Sequence, residues 1–223
     1  RDVRANVYRR GAGVLALSLA CADQAPSYSS ILSTAVMQDG HSNGITAPNG
    51  LAQQEVIRSA HALAGEAARG ICYIEAHGTG TSLGDPIEVN SLGAALGSGS
   101  QGVRLTASKS SLGHLEPVAG LVGVVKAALA IARRSMPASL HFHQPNPLLP
   151  FKELGMSVVE TLEGWQQDAE FVVGVSSFGY GGTISHAVLG PASEMKAETA
   201  LGSSTAVLFL SAASASSLKS LAS

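Results

Sequence analysis

Short apolar runs, each ending in a loop rich in Gly, Ser, Thr or His and each followed by a helix opener, constrain this chain more than any other feature. Ile71 to Ile74 is one such run; it leads into His77 to Gly84, after which Asp85-Pro86 opens the helical stretch Pro86 to Leu96. Proline suits a first helical position, where its missing N–H has no partner to lose, and Asp85 is placed to cap the free amides. Leu105 to Ser108 repeats the pattern, with Lys109 to Glu116 as the loop and Pro117 to Arg133 as a small-residue-rich helix. Strands alternating with helices predict an α/β layered fold, because helices then cover both faces of a sheet.

Further strands are predicted at Val7 to Ala20 and Ile31 to Met37, joined through Pro26. A turn-rich loop, Asp39 to Gly50, and a helical stretch, Leu51 to Leu63, follow. Pro137 to Pro150 contains four prolines and must run largely extended. Met156 to Val159, Phe171 to Ser176 and Ile184 to Leu189 suit strands. Beyond Pro191 the chain turns small and polar, and an apolar strand at Ala206 to Leu210 then leads to a helix near Ser214, which reads as the start of a second unit.

Composition narrows the function classes. With 45% hydrophobic and 13% charged residues and a net charge of −2, the chain has the makings of a globular core but no concentrated basic field for phosphate neutralisation, so nucleic acid is not expected as a partner. Two cysteines, Cys21 and Cys72, give no disulfide framework and point to a reducing, cytoplasmic setting. Arg1, Arg4, Arg9 and Arg10 before the apolar run Gly11 to Cys21 imitate a secretory signal, but without an initiator Met Arg1 reads as an internal cut. No apolar stretch reaches the roughly 20 residues that span a bilayer, so no membrane association is expected.

Three loops at strand ends hold more Gly, Ser, Thr and His than a core requires: Glu75 to Thr81, Lys109 to His114, and Ser177 to Thr183. Glycine admits close approach to a ligand, threonine offers hydroxyls, and histidine exchanges protons near neutral pH. Loops of this kind build sites on α/β scaffolds.

These loops carry a resemblance to the β-ketoacyl synthases of polyketide assembly lines, within the thiolase-like superfamily. It rests on Glu75 to Thr81 with Gly84-Asp85-Pro86-Ile87-Glu88, on Lys109 to Glu116 with Ala119-Gly120, on Leu140-His141-Phe142 with Pro145-Asn146-Pro147, on Ser176 to Thr183 with His186, and on Gln38-Asp39-Gly40 to Pro48-Asn49-Gly50. The resemblance covers residues 1–190 and implies a layered αβαβα fold, of which the chain carries the C-terminal half plus the last strand or strands of the N-terminal half. Residues 191–223 then form a linker and, by resemblance, the start of a ketosynthase-to-acyltransferase adaptor.

Such enzymes load an acyl chain onto a cysteine, and a malonyl-type unit on an acyl carrier protein then loses carbon dioxide and attacks that thioester. Carried over, the catalytic residues are His77, His114 and Lys109, the histidines stabilising an enolate oxyanion and the lysine standing beside the second of them. Thr79 and Thr81 match threonines that hydrogen-bond the phosphopantetheine arm of the carrier. Phe178, Gly179, Tyr180 and Gly181 match the substrate-side loop, with Tyr180 where a gating phenylalanine is usual and Gly179, Gly181 and Gly182 giving freedom to move. His186 is expected to be structural. No directly bound cofactor or metal is implied, His141 and His143 lacking a third ligand. The intact enzyme is expected to be a homodimer.

The family's nucleophile is absent: Cys21 and Cys72 lie in predicted strands rather than in its small-residue turn. Ala12, Ser111 and Ile184 stand where a glutamate and two asparagines are usual. Two alternatives stand beside this reading. A serine or cysteine hydrolase lacks its Gly-x-Ser-x-Gly elbow here, and a catalytically incompetent half-domain would only bind a carrier or pair with a partner. Because half of the layered core is missing, the isolated chain is expected to expose apolar surface.

Overall fold

The computed structural model describes residues 2–21, 25–40, 48–97, 102–165 and 171–192. Its centre is a six-stranded sheet built from β1 (Ser30–Gln38), β2 (Ile71–Glu75), β3 (Val103–Thr106), β5 (Met156–Val158), β7 (Val172–Phe178) and β8 (Thr183–Gly190). The strand order is β1-β8-β7-β2-β3-β5. β7, β2, β3 and β5 pair in parallel, while β8 and β1 complete one edge antiparallel. A separate two-stranded ladder joins β4 (Ser135–Met136) to β6 (Glu163–Gly164).

Helices cover the two faces of the sheet. α1 (Gly50–Ala64) and α2 (Gly84–Leu96) contribute Val56, Ile57, Val89 and Leu92 to a buried cluster with Ile74, Leu105 and Val188. α4 (Ala119–Arg133) sets Ala127 and Ile131 against Tyr73, Val173 and Leu189 on the opposite face. Each fully buried aliphatic side chain contributes about 1.5–3 kcal/mol relative to exposure, so the two clusters are what hold the strand ends in place. α1 starts where Asn49 accepts hydrogen bonds from the backbone N–H groups of Leu51 and Ala52, and it stops at Gly65.

Several sequence expectations need correction. Val7 to Ala20 forms no strand: among the described residues its one pairing is an isolated bridge between Arg10 and His114. Val14 is 99% exposed and Val7 and Leu19 are each 74% exposed. Alternating apolar residues make a strand only beside another strand edge, and no described strand lies there. Asp85 does not cap α2; it sits inside the first turn and accepts a hydrogen bond from the Gly80 N–H at 3.0 Å. The Lys109 segment begins as a single helical turn, α3 (Lys109–Leu112), and Glu116–Val118 is a 3₁₀ turn ahead of α4. The third sheet strand begins two residues earlier than expected and ends at Thr106. The β4–β6 ladder has no sequence signature, because two residues carry no periodicity. Ala206 to Leu210 and Ser214 lie outside the described residues. No helix among the described residues is long and apolar enough to cross a membrane.

Candidate active site

Because β7, β2 and β3 are neighbours running in the same direction, the loops leaving their C-terminal ends meet on one edge of the sheet. His77 follows β2, Lys109 and His114 follow β3, and Phe178 closes β7. The imidazole centroids of His77 and His114 are 5.6 Å apart with their planes at 82°, and the Phe178 ring lies 5.6 Å from His77. A cavity of about 510 Å³ is lined by both histidines, Thr79, Thr81, Phe178 and Tyr180, with Gly179 also on its wall. Tyr180 is 73% exposed at the rim. Gly181 lies outside that lining; its carbonyl accepts a hydrogen bond from Gln38 at 3.1 Å.

Hydrogen bonding fixes how the rings present themselves. The Glu116 backbone N–H donates to His114 Nδ1 at 2.9 Å. A backbone amide can only donate, so Nδ1 accepts and the hydrogen of the neutral ring resides on Nε2. Lys109 Nζ stands 3.4 Å from His77 Nδ1 and also donates to the His77 carbonyl. An ammonium likewise has nothing to accept with, so this contact favours a lone pair on His77 Nδ1. The lysine thus bonds to the first histidine, while its charge also reaches the second. Burial, then the Lys109 charge, lower the His114 pKa, against an upward pull from Glu116. The ring is therefore held neutral, with a hydrogen-bond donor at Nε2.

Buried carboxylates shape both loops from beneath. Glu88 accepts from the backbone N–H groups of His77 at 2.7 Å and Gly78 at 2.8 Å. Glu75 accepts from Thr106, from the Ser108 N–H and from Lys126 Nζ, the last at 2.8 Å. Burial pushes the Glu75 carboxyl up, yet the Lys126 ammonium with the Thr106 and Ser108 hydrogen bonds outweighs it and holds the group below its ordinary value. The same Lys126 ammonium reaches Thr106 Oγ1, which also meets the Tyr73 hydroxyl. Glu75 stands two residues before His77 and Ser108 one before Lys109, so one carboxylate ties both loops together. Thr79 and Thr81 bring their hydroxyls within 3.1 Å of each other, and Thr81 Oγ1 accepts the Gly84 N–H.

Sequence reading missed the roles of Glu88, Glu75, Lys126 and Tyr8. A glutamate only 3% exposed on α2 and another 1% exposed at the end of β2 are signals only once burial is known. Tyr8 packs its ring 4.9 Å from His114 and lines the same cavity from more than a hundred residues away in the chain. His186 is buried with Ser176 Oγ at 3.0 Å from its Nδ1, as a structural residue should be. The Cys72 thiol is pushed up to about 12 by burial, which leaves it no thiolate character. Cys21 is exposed on the segment that forms no strand. Ile184, in place of a usual asparagine, is 1% exposed within the core and leaves no amide unsatisfied.

Known proteins resemble this chain in sequence and in fold. Residues 28–143 match the family described as the beta-ketoacyl synthase C-terminal domain, and residues 145–223 match the ketoacyl-synthetase C-terminal extension. The chain is 43% identical over 181 residues to a phenolphthiocerol/phthiocerol polyketide synthase of Mycobacterium bovis, covering 79% of this chain and 10% of that protein. It is 43% identical over 191 residues to the erythronolide synthase EryA3 of Saccharopolyspora erythraea, covering 82% of this chain and 6% of the relative. Among solved structures, the ketosynthase from module 6 of the bacillaene synthase of Bacillus subtilis 168 superposes with a TM-score of 0.70 at 34% identity, over 74% of this chain and 31% of that one. The chain therefore spans about a tenth or less of these curated relatives and about a third of the solved ketosynthase. Its sheet, its loops and these likenesses place the chain in the β-ketoacyl synthase family of the polyketide synthases, as the C-terminal part of a thiolase-like condensing domain.

Proposed function

We propose that this segment supplies the decarboxylation and condensation half of a polyketide ketosynthase. The reaction joins an acyl group held as a thioester on a cysteine from a preceding segment to a malonyl-type unit on an acyl carrier protein. The malonyl carboxylate leaves as carbon dioxide, the electron pair of the broken C–C bond passes through an enolate, and the new C–C bond expels the cysteine thiolate. Negative charge gathers on the extender's thioester oxygen, and the Nε2–H donors of His77 and His114 stabilise it. Lys109 fixes the His77 ring and adds positive charge to the site. Thr79 and Thr81 receive the phosphopantetheine arm, and Phe178, Gly179 and Tyr180 border the acyl chain, with Gly181 holding their loop to Gln38. Residues 191–223 are read as the linker and the start of an adaptor, and the whole enzyme as a cytoplasmic homodimer.

One observation carries this reading: two imidazoles share one cavity 5.6 Å apart, with His114 Nδ1 accepting an amide N–H and His77 Nδ1 facing Lys109 Nζ. The test is His114→Ala in the full synthase polypeptide. Decarboxylation of a malonyl carrier and condensation should both fall about 100- to 1,000-fold, as for loss of an oxyanion donor, while acyl loading of the cysteine stays measurable. Lost loading with surviving decarboxylation would overturn the assignment.

A further inference from the structure

The geometry points to Arg10 as a positioning residue for His114: through Glu116 it straps down the turn that decides which ring nitrogen of His114 carries the hydrogen. The inference rests on the condensing role proposed for His114, and it starts from a conflict within that turn. Glu116, whose N–H donates to His114 Nδ1, sits at φ 51. A side-chain-bearing residue rarely adopts that left-handed conformation, and Pro117 restricts the residue before it further. Something outside the turn has to hold it.

Arg10 is placed to do so. Its Nε reaches Glu116 Oε1 at 2.7 Å and its Nη2 reaches Oε2 at 2.7 Å, a two-pronged grip that fixes orientation as well as distance. The backbone grips too: the His114 N–H donates to the Arg9 carbonyl at 2.7 Å, and the Gly11 N–H donates to the His114 carbonyl at 2.9 Å. Two glycines allow that approach. A Cβ on Gly11 would stand 2.5 Å from the Leu112 carbonyl oxygen, and one on Gly113, at φ +74, would stand 2.9 Å from the Arg9 carbonyl oxygen. Tyr8 completes the strap by packing on the imidazole.

The Arg10 side chain is 75% exposed, and exposed ion pairs contribute little to overall stability. Its removal should therefore disturb the turn without unfolding the domain. The titratable groups facing His114 are Lys109, Glu116, Tyr8 and His77. Arg10 offsets Glu116 from the far side. Without Arg10, the Glu116 carboxylate favours the imidazolium more strongly, whereas without that carboxylate the imidazolium is favoured less.

The experiment uses the full synthase polypeptide and follows malonyl-carrier decarboxylation against pH, acyl loading, and the imidazole ¹⁵N shifts of His114. Arg10→Ala and Glu116→Gln should each lower kcat about 10-fold or more, short of the roughly 100-fold for outright loss of a donor, with KM and loading unchanged. The acid limb should move to higher pH in Arg10→Ala and to lower pH in Glu116→Gln. Glu116→Gly keeps the N–H and accepts positive φ freely, so it should stay within about twofold of wild type, and adding Arg10→Ala to it should change nothing more. Unchanged kcat in Arg10→Ala, an equal fall in loading, or full sensitivity to Arg10→Ala in the Glu116→Gly background would overturn the strap. The ¹⁵N shifts separate the two ideas. An inactive wild type whose single Nε2–H tautomer is scrambled by Arg10→Ala would sink the condensing role and support the strap; an active wild type whose tautomer ignores Arg10→Ala would do the reverse.

Discussion

The strands of the sheet and the segment Val7 to Ala20 are both largely apolar but have opposite fates. Leu105 and Val188 are fully buried between helices and sheet, whereas Val14 is 99% exposed and Leu19 74% exposed. The difference teaches that burial depends on partners, not on residue type. β3 has β2 and β5 on its flanks and sets Leu105 in the cluster shared with α1 and α2, while Val7 to Ala20 has backbone contact with the described residues at the His114 turn and no ladder along its apolar run. The exposed side of β1 tells the same story, since Leu32, Thr34 and Val36 alternate outward on the face opposite Ser33 and α1. The site loops thus carry their own support within this chain, while the apolar run from Val14 to Leu19 lies largely exposed among the described residues.

The sharpest way to break that comparison is to remove the support. Glu75→Ala leaves the Lys126 ammonium, set among α4, β2 and β3, without its counter-charge, and should cost about 3–5 kcal/mol, measured by urea unfolding of the domain. A value near zero would show that the loops do not depend on the pair. The next largest effect concerns acid. Burial lowers the His61 pKa to about 4, and burial together with the neighbouring His61 charge lowers that of His186 to about 3, their rings being 5.3 Å apart. Both folded values lie below the unfolded value, so this contribution is complete above pH 6.5 and is lost as pH falls towards the folded values. Stability should drop by on the order of 2–3 kcal/mol per histidine by pH 4, and His186→Phe should flatten that acid limb in a pH series of unfolding curves. The smallest effect is expected on the other side of the comparison. Val14→Ser should change the stability of this chain by less than about 0.5 kcal/mol while reducing self-association in sedimentation runs. A large loss of stability would mean that the apolar run is already covered.

Much of this is legible in the sequence, for definable reasons. α1, α2 and α4 announce themselves through periodicity and proline openers, and the four long apolar strands through composition. The site loops stand out because a core has no use for so much Gly, Thr and His. What stays hidden is long-range. Glu75 and Lys126 are 51 positions apart, and Arg10 and Glu116 are 106 apart. Nothing local marks either pair, since each residue alone reads as a surface charge. Asp85 misleads for a related reason: its sequence neighbourhood suits a cap, yet the turning of the preceding loop brings the Gly80 amide to it instead.

The tie made by Glu75 has a geometric consequence. With one carboxylate anchored to Ser108, Thr106 and Lys126 at once, a small deformation of either strand end carries the other along. His77 and His114 then behave like the jaws of a caliper locked at one setting, while the wall from Phe178 to Tyr180 lies outside that tie. That wall can change in shape without moving the jaws.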